Sequence, residues 1–175
     1  KVALTESGLS LTDIGSYIYC EGPGSVLGLR LCAMAIETWT RIYPESAQYY
    51  KYNSLQLSAY ALLHAKPDLQ DALIVADWKK GAWNALYIRG RHVGATEVID
   101  DASLGDWKNL IYHLPQRKGW QSPPEKVQTL RYDPSILDTI SDASGLIRMT
   151  ARIELYNSGI NTFQKWTPTR HRAQA

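Results

Sequence analysis

Cysteine is scarce: Cys20 and Cys32 are the only two in 175 residues, too few to build a disulfide scaffold. Both sit in apolar segments, which predicts reduced thiols within the core. Long hydrophobic runs are lacking as well. The longest, 31–36 and 72–76, fall far short of the ~20 apolar residues that a membrane span needs, and Arg30 and Glu37 close off the first. An excess of charge of one sign is also missing, since the formal net charge is +2. Lys165, Arg170 and Arg172 supply three positive charges to an acid-free stretch, 160–175, which leaves −1 for the rest. A near-neutral body with a short basic tail lacks the basic face of a dedicated nucleic-acid binder. Neither an initiator Met nor a signal-peptide pattern opens the chain at Lys1, so the front reads as cut or processed. What is present is an ordinary globular composition, 45% hydrophobic with 12 Gly and 8 Pro, long enough to bury about 70% of its unfolded surface.

The elements alternate, with no internal repeat. Residues 16–20 form a strand-like run closed by Glu21-Gly22-Pro23-Gly24, a strong turn signal. Ser25 then suits an N-cap, and 26–42 reads as a helix with Leu27, Leu31, Met34, Ala35 and Ile42 on one face. Leu29, Cys32, Ala33 and Ile36 fill much of the remainder, which predicts a helix packed on several sides. A strand is expected at 48–52, then a helix capped by Asn53 or Ser54 and stopped before Pro67. Beyond Asp71 the texture turns to strands: a hairpin of 72–76 and 83–89, a third strand at 96–99, and short strands at 109–113 and 127–132. Asp133-Pro134 should open another helix carrying Ile136, Leu137, Ile140 and Ala143, stopping near Gly145. The pattern is α/β, in two lobes with a seam near 65–71, helix-rich in front and strand-rich behind.

The Gly-rich stretch fails two catalytic templates. A nucleophile elbow needs Gly two before and two after the Ser, where Pro23 and Leu27 stand around Ser25. A phosphate-binding P-loop needs Gly-Lys-Ser/Thr, but Gly28 is followed by Leu29-Arg30. What remains is a Gly-Pro-Gly turn at a helix N-terminus. It could hold an anion, or its glycines simply let strand and helix pack closely.

Histidines 64, 92, 113 and 171 are spaced 28, 21 and 58 residues apart, so no pair shares a helix face as zinc proteases require. Asp100-Asp101 reads as a turn or helix cap. Asp77 ends a buried-looking strand and is the better functional candidate, although a hairpin Asp bonding nearby backbone explains it too. The six tryptophans, at 39, 78, 83, 107, 120 and 166, are not interleaved with basic residues and read as packing and interface groups.

Ser10-Leu11-Thr12-Asp13-Ile14, a strand, and then Gly22-Pro23-Gly24-Ser25-x-x-Gly28-Leu29-Arg30-Leu31 resemble the signature of the TsaB family. These are the Gcp-like, peptidase M22-like proteins of bacterial tRNA threonylcarbamoyladenosine synthesis. Asn53-Ser54-Leu55 resembles the opening of the family's second helix, and 73–77 followed by 83–89 resembles its hairpin after Asp-Ala-Arg. Ile153-Glu154-Leu155-Tyr156 stands where a Pro-x-Tyr-Leu-Arg closing strand is usual. The resemblance spans residues 1 to about 90, and 150–158 loosely. Departures are clear: Val26-Leu27 for Phe-Thr, Trp78-Lys79 for Ala-Arg, and Glu154 and Ser158 for Pro and Arg.

The resemblance implies an ASKHA-like fold of two lobes, as in actin and Hsp70. A partial front lobe would occupy 1–68, an α/β lobe 69–150, and a closing strand with the basic tail 151–175. The family's opening strands, with their Asp-Thr-Ser motif, do not precede Lys1, so the front lobe is expected to be incomplete. It also implies a non-catalytic, cytoplasmic subunit without cofactor or metal, paired with a TsaD-like catalytic paralogue and a TsaE-like ATPase and meeting tRNA indirectly. Leu27, Leu31, Met34, Ala35 and Thr38 would lie at or behind the partner contact, next to the motif turn of Gly22, Pro23, Gly24, Ser25, Gly28 and Arg30. The same face could instead be lobe core. Lys165, Arg170 and Arg172 could touch tRNA, or belong to a solvated terminus anchored by Phe163 and Trp166. Two other classes stay open: a metal-dependent peptidase or nucleotide-binding ASKHA enzyme, and a homodimeric interaction module.

Overall fold

The structure, a computed structural model, describes residues 6–43, 47–115, 123, 127–140 and 145–158. Its first sheet grows from a βαβ unit. Strand β1 (Ser16–Gly22) and strand β2 (Gln48–Asn53) run parallel, with Ser16 opposite Gln48 and Cys20 opposite Tyr52. Parallel neighbours need a long crossover, and helix α1 (Val26–Ile42) supplies it. Ser25 caps α1, its hydroxyl accepting from the Gly28 N–H at 3.4 Å. Strand β8 (Arg148–Thr150) joins antiparallel to β2, giving the order β1-β2-β8.

Asn53 ends β2 and caps helix α2 (Ser54–Ala65), its Oδ1 accepting from the amides of Leu55 at 3.0 Å and Gln56 at 3.3 Å. Such a cap is worth about 1 kcal/mol. Thr96 donates to the same oxygen at 3.0 Å, so the cap also ties α2 to the second sheet.

That sheet is a meander of β3 (Ala72–Lys79), β4 (Ala82–Arg89) and β5 (His92–Asp100), extended by β6 (Leu110–Leu114) and β7 (Gln128–Thr129) in the order β5-β4-β3-β6-β7. Strand β3 is covered on both faces, and Ala72 to Ala76 are fully buried, which is why its sequence is a continuous apolar run. Leu55, Ala59 and Leu62 of α2 pack on Ile74, Leu86 and Ile88. On the opposite face Leu73, Val75 and Trp83 meet Leu104 of a short helix, α3 (Asp101–Asp106), capped by Asp100. The two-residue turn after β3 requires Gly81 at φ +78°.

Several expectations are corrected. The helix expected from Pro134 to Ala143 is a 3-10 turn, Pro134–Asp138, whose Ile136 and Leu137 pack with Ile140 against Tyr52, Leu57 and Leu146; Ala143 lies outside the described residues. The strand expected at 127–132 shrinks to two residues, and β8 was not expected. Residues 153–156 are not a strand of either sheet; the Tyr156 N–H donates to the Glu21 carbonyl at 2.7 Å instead. Nor is α1 packed on several sides, since Ile36 is its one buried residue. Of the two thiols, Cys20 is half-buried against the Tyr52 and Leu57 cluster, while Cys32 is exposed on α1 rather than in the core.

Candidate functional site: the Gly-Pro-Gly-Ser turn and the helix behind it

Gly22 leaves β1 at φ +117°, a conformation that side chains rarely adopt. A Cβ there would stand 3.0 Å from Leu29 Cδ1 and 3.2 Å from Tyr156 Cβ. The close-packing role of the turn is thus visible at Gly22, whereas Gly24 and Gly28 would meet only ordinary contacts. The Gly22–Pro23 peptide is cis, and the Ser54 hydroxyl donates to the Pro23 carbonyl at 2.6 Å. The start of α2 therefore pins the turn from which α1 departs.

On α1, Leu27 is 68% exposed, Leu31 56% and Met34 62%. Thr38 is exposed and donates its hydroxyl to the Met34 carbonyl at 2.7 Å, while Ala35 is half-buried. At i, i+4, i+7 and i+11 these residues form one stripe, which Ile42, 60% exposed, continues. Lobe core is therefore not what this face is. Arg30 of the turn motif is exposed beside it. The inward side rests on β1 through Ile36 with Tyr17 and Tyr19, and Trp39 stacks on Tyr17 at 6.2 Å. Lys165, Arg170, Arg172, Phe163, Trp166 and His171 lie outside the described residues.

Under α1 a charged network fastens 148–156 to the first sheet. Glu21, 6% exposed, pairs with Lys51 at 3.1 Å and Arg148 at 2.5 Å. Lys51 also reaches Glu154 at 3.1 Å, and Arg152 holds the other oxygen of that carboxylate at 3.0 Å. Hydrogen bonds from Arg152 and then Lys51 hold the Glu154 carboxyl below the usual range. Burial pulls Lys51 down, but its hydrogen bonds to Glu154 and Glu21 outweigh that and leave its ammonium above the ordinary value.

Asp77 is not a turn residue. It sits in β3, 4% exposed, with Oδ1 3.1 Å from Nε2 of His113, itself 6% exposed on β6. The Trp83 ring stands edge-on to the imidazole at 5.6 Å. His113 was missed as a partner because only the β3–β6 register, Val75 opposite His113, brings the two together. Asp101 accepts from the Trp83 indole at 2.7 Å, so the Asp100-Asp101 pair caps a helix and anchors an indole. Trp39, Trp83 and Trp107 make ring contacts within the fold, Lys79 covers Trp78, and Trp120 and Trp166 are outside the described residues. Among the described residues no three His, Cys, Asp or Glu side chains gather as a metal site. No helix there is long and apolar enough to cross a membrane.

Neither a family model nor a curated protein matches the chain. Solved structures do. An uncharacterized protein with similarity to peptidase YeaZ from Pseudomonas aeruginosa superposes with a TM-score of 0.56 at 13% identity, over 89% of this chain and 79% of that one. YeaZ from Pseudomonas aeruginosa gives 0.51 at 11% identity, over 79% and 73%. The fold is YeaZ-like. It is the ASKHA-like α/β architecture, here with a sheet in each lobe and α2 packed between them.

Proposed function

We propose that the chain is a TsaB-like, non-catalytic dimerisation or scaffold subunit of tRNA N6-threonylcarbamoyladenosine synthesis at position 37. It supports a TsaD-like catalytic paralogue, beside a TsaE-like ATPase, in the cytoplasm. One observation carries the reading. In a YeaZ-like fold, the helix that follows the Gly-Pro-Gly-Ser turn leaves Leu27, Leu31 and Met34 more than half exposed. A row of large apolar side chains on one helix face is a groove-docking or helix-pairing surface. The turn that orients this row is fixed from three sides, by Gly22, by Ser54 and by the Tyr156 contact to Glu21. An apolar face whose orientation is fixed by the turn before it suits a subunit that positions a partner.

The test is reconstitution. The purified chain, mixed with the TsaD-like paralogue and TsaE-like ATPase of its own genome, should co-elute with the paralogue and raise threonylcarbamoyl transfer to tRNA, while the chain alone transfers nothing. Transfer by the paralogue and ATPase that is indifferent to the chain, together with separate elution, would overturn the reading.

A further inference from the structure

A cavity of about 240 Å³ lies between the first turn of α1 and the facing ends of β3 and β4. Pro23, Gly24 and Val26 line one side, Trp78 and Asn84 the other, and residues 156–158 border it. The volume is just under the roughly 300–1,000 Å³ of pockets for drug-sized ligands, which suits a small metabolite. Two groups in its walls lack a counterpart. The first amides of α1 have no intrahelical acceptor; Ser25 takes those of Gly28 and Leu29, and Val26 and Leu27 remain. Across the cavity stands Asn84, 2% exposed. Its Nδ2 donates to the Asp77 carbonyl at 3.4 Å, but its Oδ1, buried as well, has no donor. A buried acceptor without a donor is costly and marks a place for an N–H or O–H.

The charges around the cavity decide what kind of group meets each wall. The first turn of α1 carries no acidic residue, so the positive end of its dipole is uncompensated and favours an anion. No Lys or Arg lines the cavity, so nothing beyond that helix end balances a second negative charge. On the β side, Asn84 pairs with Ala76 and shares its face of the sheet. Asp77 pairs with Trp83 on the alternate face, where His113 meets its carboxylate at 3.1 Å, and it meets Asn84 through its backbone carbonyl. No other acid is among the lining residues. An ammonium buried beside Asn84 would thus go unbalanced, and the missing donor is a neutral one.

We infer that this cavity binds a small hydroxy acid as its monoanion, with the carboxylate on the N-terminus of α1 and the hydroxyl donating to the Asn84 carboxamide oxygen. Val26, Leu29 and Tyr156 line the space left for its carbon chain. A plain carboxylate would leave Asn84 Oδ1 without a donor, and a plain alcohol would leave the helix end without an anion. The inference goes beyond the scaffold reading and does not depend on it, since binding is read on the chain alone.

Thermal unfolding and calorimetry with glycolate, L-lactate and D-lactate provide the test. Propionate, which lacks the hydroxyl, L-alanine, which replaces it by an ammonium, and inorganic phosphate are the comparison probes. A hydroxy acid present at about a hundred times its dissociation constant should raise the unfolding midpoint by about 5–10 °C. Propionate and alanine should each bind about tenfold or more weakly than the better lactate. Asn84→Leu should bring lactate down to the level of propionate and leave propionate where it was. Should that variant fail to fold, Val26→Asp serves: Val26 is 53% exposed, and an Asp there offers the helix N-terminus its own carboxylate and should abolish hydroxy-acid binding. The proposal is overturned if none of the three hydroxy acids binds, if propionate, alanine or phosphate binds as tightly as lactate, if a folded Asn84→Leu keeps the preference for lactate, or if Val26→Asp leaves binding intact.

Discussion

Leu31→Glu separates what holds the fold from what the fold offers to a partner. In the chain by itself Leu31 is 56% exposed, and Glu is nearly as good a helix former as Leu. Its substitution should therefore change stability by no more than about 0.5 kcal/mol, the range of ordinary surface changes. Ile36, about 1.4 turns on and 5% exposed against Tyr17 and Tyr19, is the control. Ile36→Ala removes core and should cost about 2–5 kcal/mol. In the proposed complex the order should reverse. Docking on α1 would remove about 100 Å² of apolar surface at Leu31, worth about 2.5 kcal/mol at 25 cal/mol per Å². That is about 60-fold in dissociation constant, before the further penalty of burying an unpaired carboxylate. Urea unfolding of each variant gives the first quantity, and fluorescence titration with the TsaD-like paralogue gives the second. Two results refute the reasoning: a Leu31→Glu chain that binds like the parent, or one that loses stability as Ile36→Ala does.

Two further outcomes follow from the buried groups. His113→Leu leaves the Asp77 carboxylate one partner short in a nearly solvent-free place and should lower the urea midpoint by the equivalent of about 1–3 kcal/mol; a change within about 0.5 kcal/mol would show that the contact is dispensable. With an aromatic disulfide reagent near neutral pH, the exposed Cys32 should react quickly and Cys20, whose thiol burial pushes up, only slowly until denaturant is added; equal rates for the two would contradict the placement of Cys20.

Local chemistry was legible in the sequence. Ser25 and Asn53 are caps, the helices they open end where the apolar period ends, and the apolar run at 72–76 is the central strand of the larger sheet. These features are decided within a few residues of themselves. Elements decided by distant partners were not legible. Strand β8 is three residues long and exists because β2 offers it an edge, with Arg148 held by Glu21, 127 positions away. The stretch after Pro134 has a cap and apolar residues at helical spacing, yet Ile136, Leu137 and Ile140 meet Tyr52 and Leu146 from a single 3-10 turn, where tertiary contact overrides propensity. His113 and Asp77 lie 36 residues apart, and only strand pairing reveals them as neighbours.

Helix α1 is the case in which the sequence supplied the right residues and two competing conclusions. Apolar side chains occur on more than one of its faces, and a helix that is hydrophobic all round is ordinarily one that its own chain buries. Among the described residues, however, the first sheet has three strands, and β1 contributes Tyr17 and Tyr19 to a contact wide enough for Ile36 alone to be buried. The stripe of Leu27, Leu31, Met34 and Ile42 is then surplus to the fold. Surface leucines scattered singly need no explanation, but Leu27, Leu31, Met34 and Ile42 are aligned, each at least 56% exposed, on a helix whose start is locked by the turn before it. The expectation of packing on several sides took the chain to bury all of the helix's apolar surface, whereas the partner-contact expectation for Leu27, Leu31 and Met34 did not. With that assumption removed, the same pattern describes a helix with two apolar faces, one spent on Tyr17 and Tyr19 and the other exposed.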